Sequence, residues 1–418
     1  MLLLHMLVAL TIVVPDTVIL CCLYREDELM AGAKRVAWVD VGKGVSILGV
    51  VLFHVIFLGN ISGTHANAIS IRLDEVRMSL FFILSGMFAH KISTMTVSEL
   101  FRRRVWAWGA PYVLWCIPAY IIFGYSGNRA QEHSLLHYIV FPENGMWFLY
   151  ALTTYAVLAY ITRKMPGIVV MWLSVALSVL GALTMPYGDN WGVMRVFMFA
   201  PFFFGGLYAR DFLLSLTLEK KSWQWWATGV ALSAAFMWMS IKGKAIIFGS
   251  FVPLDSPDYN SRLEAWRLTM ALNIGYVGSL GAAIIGSIAL SMIPVVREVL
   301  MFFGKRTLPL YLVNEMVVAT WYAFVERRYS DSPLVQWLFA HPEVRVWTVF
   351  SLVIAIGLAL HYVSKIPYVG KVIIPQPLPP FPWEKNTAPG KHRKRTGGER
   401  CSEKTASTEP GLQPTVHD

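Results

Sequence analysis

Long apolar runs, broken at short intervals by basic clusters, make up most of this chain. Windows of about twenty apolar residues recur, each long enough to cross a ~30 Å hydrocarbon core as a helix. Hydropathy predicts spans at about 44–61, 77–92, 108–124, 146–163, 167–184, 194–213, 223–241, 270–293, 303–325 and 345–363, ten in all. The runs are continuous rather than alternating, which excludes a β-barrel. The predicted fold class is therefore all-α: a polytopic transmembrane helical bundle. An eleventh candidate, Leu2 to Leu23, carries His5, Pro15 and Asp16. It has no basic leader and no small-residue cleavage site, so it does not read as a signal peptide. Met30 offers an alternative start.

Three regions follow. Residues 1–29 are a hydrophobic extension, 30–365 the membrane domain, and 366–418 a tail. The tail opens with "PQPLPPFP", which cannot hold a helix because proline lacks the backbone donor and clashes with the preceding turn. The polar remainder is expected to be a disordered cytoplasmic tail, in which Lys391 to Arg395 suit anionic lipid headgroups.

Composition agrees with a membrane location. Of 418 residues 56% are hydrophobic and 15% charged, where soluble chains carry roughly a quarter; the mean hydropathy is +0.51. The net charge of +10 does not indicate nucleic-acid binding, because the basic residues flank apolar spans instead of forming a soluble basic domain. Counted over alternate loops, sixteen Lys and Arg face eleven. The richer side is expected to be cytoplasmic and holds Lys43 and Arg102–Arg104. Cys21, Cys22, Cys116 and Cys401 lack metal-type spacing and form no disulfide framework, so no metal site is predicted.

The chemistry-bearing residues are those that lipid should exclude. In "WVDVGKGVSILGVVLFHV", His54 lies deep in an apolar run, eleven residues after Lys43. Eleven residues is about three helical turns, so an unbroken helix puts both on one face, roughly 16 Å apart. Asp40 joins that face. Ionisable residues in spans tend to mark functional sites, although a histidine can simply hydrogen-bond across a helix interface. Ser85 and Gly86 suggest close helix packing or a substrate contact; a nucleophile elbow, which needs Gly-x-Ser-x-Gly after a strand, is absent. Arg102, Arg103 and Arg104 serve either as topology anchors or as bidentate phosphate ligands. In "FPENGMWFLYAL", Glu143 is a candidate hydroxyl acceptor, Asn144 adjoins it, and Trp147 has the position of an interfacial anchor. The long outer loop carries Asp255, Asp258, Tyr259, Asn260, Glu264 and Trp266, groups that suit a sugar or a solvated loop equally.

From about Val36 to Val363 the sequence resembles the acyltransferase-3 superfamily of integral membrane O-acyltransferases, in the branch named for fucose 4-O-acetylase. Asp40, Lys43, Gly44 and His54 fill that branch's Asp-x-x-Lys-Gly…His pattern. Phe81, Phe82, Leu84, Ser85 and Gly86 fit its phenylalanine-rich Leu-Ser-Gly span. Arg103 or Arg104 before Pro111 and Tyr112, and the run Trp147-Phe148-Leu149, fit two further motifs. "FGKRTLPLYLVNEM" resembles its Gly-Lys-x-x-Leu-x-x-Tyr-Leu segment, with Asn314 where the family often has histidine.

The resemblance implies a bacterial plasma-membrane enzyme with no bound cofactor. Its donor substrate would be acetyl-CoA on the cytoplasmic side, and its acceptor a hydroxyl of an envelope glycan or glycolipid. Lys43 and Arg102–Arg104 would hold the donor's phosphates, and Asp40 would position Lys43. Ser85, Glu143, Asn144 and Trp147 are the candidate substrate contacts. His54 would act as general base or carry the acyl group as a nucleophile. The alternative is a transporter or flippase for an envelope lipid or sugar, since intramembrane His and Lys also mark transport paths; a third reading is a non-enzymatic part of an envelope assembly.

The charge asymmetry makes a topological prediction. Single cysteines placed beside Lys43 and Arg103 should react with impermeant thiol reagents only from the cytoplasmic face, and one at Asp258 only from outside. Labelling of the first two in intact cells would invert the orientation.

Overall fold

The computed structural model describes residues 36–125, 134–142, 145–184, 191–216, 222–250, 261–368, 370, 373–375 and 377–381. The expectations for residues 1–29, and those resting on Glu143, Asn144, Asp255, Asp258, Tyr259, Asn260 and Lys391 to Arg395, lie outside the described residues. The chain divides into two units, Met1–Pro379 and Pro380–Asp418, and every described helix belongs to the first.

Each of the ten predicted spans coincides with a helix, and the described residues hold no strand. In chain order the helices are α1 (Ala37–Leu58), α2 (His65–Met87), α3 (Val97–Tyr125), α4 (Leu135–Val140), α5 (Trp147–Ile161), α6 (Gly167–Thr184) and α7 (Trp191–Tyr208). They continue as α8 (Arg210–Leu214), α9 (Trp223–Gly249), α10 (Ser261–Leu290), α11 (Pro294–Gly304), α12 (Thr307–Thr320), α13 (Pro333–Ala340) and α14 (Pro342–Val363). A π turn at Phe101–Val105 interrupts α3, and another at Trp321–Glu326 extends α12. By length and composition, α1, α3, α9, α10, α12 with its π turn and α14 are each able to cross a membrane; α6 and α7 are apolar but shorter. The spans of α5 and α2 fall short for different reasons. α5 has 15 residues, and α2 carries Arg72, Asp74, Glu75 and Arg77.

Local signals set the ends. Thr64, Ser134, Ser222 and Ser332 each cap a helix by accepting a backbone N–H two or three residues on. Thr96 and Glu99 form a reciprocal capping box at the start of α3, satisfying donors that a helix start leaves open. Four starts lie well before the hydropathy reading: α1 begins at residue 37 rather than 44, α2 at 65 rather than 77, α3 at 97 rather than 108 and α10 at 261 rather than 270. A hydropathy window stops at a charge, whereas a helix continues through it when the side chain finds a partner.

α1 is the axis of the bundle, packed by α2, α10, α11, α12 and α14, and 67% of its most apolar stretch is buried. α9 is peripheral and pairs with α10, while α6 pairs with α7. An aromatic core fills the space between α2, α5 and α7. The Phe82 ring lies 4.8 Å from Phe148, 5.2 Å from Phe199 and 5.7 Å from Trp147 between centroids. Trp147 is buried there rather than standing at a lipid interface, because α5 is short and its first turn lies inside the protein.

Two helix pairs touch backbone to backbone. Gly44 lies against the Leu300 carbonyl and Gly304 against that of Asp40, joining α1 to α11. Gly86 lies against the Phe203 carbonyl and Gly206 against that of Ile83, joining α2 to α7. Small residues allow this approach, which is how helices gain packing energy where lipid offers no hydrophobic drive. Gly86→Leu should therefore force α2 from α7 and lower the thermal midpoint in detergent, since overpacking costs about 1–3 kcal/mol. Gly286→Leu is the control, because nothing lies within 4 Å of a Cβ there. Equal midpoints for both variants would refute the close-contact role.

Candidate active site

A cavity of about 850 Å³ opens at the end of the bundle where α1 starts. Its mouth is strongly basic: Lys43, Lys91, Arg104, Arg210 and Lys305 line it, with Asp40 and His90. Its inner wall is apolar and aromatic, made by Phe81, Phe148, Leu149, Leu152 and Tyr311, with Ser85 beside them. The sequence grouped Asp40 with Lys43, and the structure joins them: Lys43 Nζ lies 3.2 Å from Asp40 Oδ1, one turn earlier on α1. The ammonium also lies 4.4 Å above the Phe88 ring. Ser85 donates its hydroxyl to the Phe81 carbonyl at 2.8 Å, which leaves its oxygen lone pairs as the groups it can offer. Burial, with Arg210 adding to it, holds the His90 imidazole below its ordinary pKa, so at neutral pH it adds no charge to the mouth.

The three arginines, adjacent in sequence, diverge. Successive residues of a helix point about 100° apart, and each of these meets a different surface. Arg102 is buried and donates to the Leu378 carbonyl at 2.9 Å; Trp115 likewise donates to the Ile373 carbonyl, so Ile373 and Leu378 both lie against α3. Arg103 is exposed and lies 3.8 Å from Glu99. Arg104 alone lines the cavity. It donates to the Phe88 carbonyl at 2.9 Å and lies 5.2 Å from the Trp108 ring.

His54 is not part of the cavity wall. It sits three turns further along α1, half-buried, with its ring 5.2 Å from Phe53. Its Nδ1 lies 2.9 Å from the Val50 carbonyl. A carbonyl can only accept, so Nδ1 carries the proton, and in the neutral ring the free lone pair is on Nε2.

Around His54 the structure assembles charges that the sequence reading did not single out. Arg77 is buried mid-helix in α2, paired with Asp74 and lying 3.8 Å over the Phe53 ring. Arg195 lies on α7, 5.8 Å over Trp147. Both are electrostatic neighbours of His54. Glu315, next to Asn314 on α12, is bonded to the Gly145 backbone and also feels Arg195. Tyr311, one turn before it, donates to the Gly145 carbonyl and accepts from the Phe148 N–H at 3.1 Å. Because Tyr311 also lines the cavity, it stands between the basic mouth and the His54 cluster. Asn314 is buried and donates to the Tyr311 carbonyl at 2.6 Å. The available signal for Arg77 and Glu315 was an ionisable residue at helical spacing from another polar one, three after Asp74 and four after Tyr311.

The far end of α1 is held by a second buried network. Arg345 bonds both carboxylate oxygens of Glu326, the closest at 2.6 Å, and reaches the Gly59 carbonyl at 3.3 Å. Trp321 donates to Glu326 at 2.7 Å, and Tyr322 donates to the Val55 carbonyl at 2.9 Å. The turn of α1 that follows His54 is thus tied to α12 and α14. Among the described residues no group of three or more His, Cys, Asp or Glu is placed to hold a metal ion.

A helical membrane bundle with a basic cavity at one end and a histidine three turns further along its central helix defines a class, and comparison with known proteins places the chain within it. The acyltransferase-3 family model, described as an acyltransferase domain, matches residues 36–363. The chain belongs to this family and is a multi-pass membrane acyltransferase. No curated protein and no solved structure matched it.

Proposed function

We propose that this enzyme moves an acetyl group from acetyl-CoA, entering from the cytoplasm, to a hydroxyl of a cell-envelope sugar or glycolipid. The observation that carries this reading is the cavity, with five cationic side chains at its mouth and an apolar aromatic wall within. That gradient matches a coenzyme A thioester, which has phosphates at one end and a long, thin arm at the other. Lys43 and Arg104 bind phosphate oxygens by charge-assisted bonds, and Asp40 keeps the Lys43 ammonium at the mouth. Ser85 accepts a bond from an amide of the arm. The arm passes Phe81, Phe148 and Tyr311 to bring its thioester to the level of His54.

His54 then works through Nε2. As general base it takes the proton of the acceptor hydroxyl while that oxygen attacks the thioester carbonyl. The C–S bond breaks, and the departing sulfur takes the proton from the imidazolium. In the carrier variant Nε2 attacks the carbonyl first and the sulfur leaves as thiolate; in a second step the hydroxyl takes the acyl group from Nε2, the imidazole is released and the hydroxyl proton passes to the thiolate. Both variants need the tautomer that the Val50 carbonyl imposes.

Two measurements test this reading. Arg104→Gln should raise the KM for acetyl-CoA roughly ten- to a hundred-fold, because a charge-assisted bond contributes about 1.5–3 kcal/mol. Arg103→Gln, outside the cavity, should leave it within about two-fold, well inside the effect of one such bond. Equal KM values would leave both residues as topology anchors. His54→Ala should insert in the membrane and bind acetyl-CoA but lose transfer by about 10²–10⁴ in rate. His54→Gln, which hydrogen-bonds but takes up no proton at neutral pH, should be equally inactive. A Gln variant near wild-type rate would make His54 a structural bridge.

A further inference from the structure

Arg195 faces the interior of the bundle, yet it is exposed. Its guanidinium lies 5.8 Å over the ring of Trp147, a buried residue, and it acts electrostatically on His54, Arg77, Tyr276, Tyr311 and Glu315, which sit on four other helices. An arginine anchoring α7 in headgroups would point away from these groups. Arg195 thus links the exposed surface of α7 to the buried groups around half-buried His54, away from the lining of the basic cavity.

The charges around these groups are unevenly matched. Glu75 is paired with Lys244, and Asp74 with Arg77. The Arg77 side chain is 7% exposed, and its Nη1 has no hydrogen-bond acceptor among the described residues. Leaving such a donor buried and unpaired is costly. Arg195 has no carboxylate within ion-pair distance among the described residues, and Glu315, which feels its charge, is engaged by the Gly145 backbone. Two guanidiniums thus flank the proposed base, one with an open donor and the other without a counter-ion. Guanidinium is the side-chain group best shaped for a planar or tetrahedral oxyanion.

We propose that the acceptor is anionic, with a carboxylate or phosphate near the reacting hydroxyl that Arg195 and the open donor of Arg77 hold beside His54. This rests on the acetyl-transfer reading above and adds the class of acceptor. Binding the oxyanion fixes the hydroxyl against Nε2 and supplies the acceptor that Arg77 lacks.

The test uses the full chain in membranes with labelled acetyl-CoA and an envelope extract from the source cells, with products separated by anion exchange. Label should appear in the retained, anionic fraction. Solvent extraction of that fraction then divides phosphate-bearing lipids from acidic glycans. Arg195→Gln should raise the acceptor concentration for half-maximal transfer about ten- to a hundred-fold, the effect of one charge-assisted bond. Its KM for acetyl-CoA should stay unchanged, which shows that the variant is folded. Arg195→Lys, which keeps the charge but not the fork, should recover part of the loss. Label confined to the unretained, neutral fraction, or an Arg195→Gln variant with wild-type acceptor dependence, overturns the proposal while leaving acetyl transfer intact. Absence of label from every fraction overturns acetyl transfer itself, and this inference with it.

Discussion

A charged side chain carried to the depth of a hydrocarbon core has to find a partner, and that requirement organises this bundle. α2 is the clearest case. Four charges between Arg72 and Arg77 make it a poor membrane helix by composition, yet it packs against α1, α7 and α10. It can do so because Arg77 meets Asp74 and the Phe53 ring, and Glu75 meets Lys244. The same rule governs the far end, where Glu326 and Arg345 satisfy each other together with Trp321 and the Gly59 carbonyl. Breaking one partner of such a buried pair is expensive, although the intact pair contributes little net stability. These networks therefore dictate which helices are neighbours more than they strengthen the bundle.

Close backbone contact completes the framework. The reciprocal glycines of α1 and α11, and of α2 and α7, bring carbonyl and Cα within contact distance. Such spacing leaves little freedom for sliding, so the mouth formed by α1, α3 and the turn after α11 is held at one width. The catalytic proposal depends on this rigidity. Lys43 and His54 share one unbroken helix, so the spacing between the donor's phosphates and the proposed base is set by three turns of α1.

The polar residues form two groups separated by the layer around Tyr311. On one side the basic mouth suits a phosphate-bearing donor. On the other, two guanidiniums and an imidazole with its lone pair on Nε2 suit a hydroxyl that carries an anion. Tyr311 belongs to both groups, through the cavity wall and through its bonds to Gly145 and Phe148.

Sequence alone determined that this is an all-helical membrane protein, where most of its helices lie, and that Asp40, Lys43 and His54 ride on one of them. Those properties are local: hydropathy and a 3.6-residue period depend only on neighbours along the chain. Tertiary structure decided which side chains meet. It sent Arg102 to a carbonyl near the end of the described chain, Arg103 outward and Arg104 alone into the cavity. It buried Trp147, which had the sequence position of an interfacial anchor, and brought Arg77 and Arg195, at the starts of two predicted spans, to the surroundings of His54. The physical reason is the same each time. Whether a charge sits in a loop or a core depends on the partner it finds, and those partners stand on helices tens to hundreds of residues away.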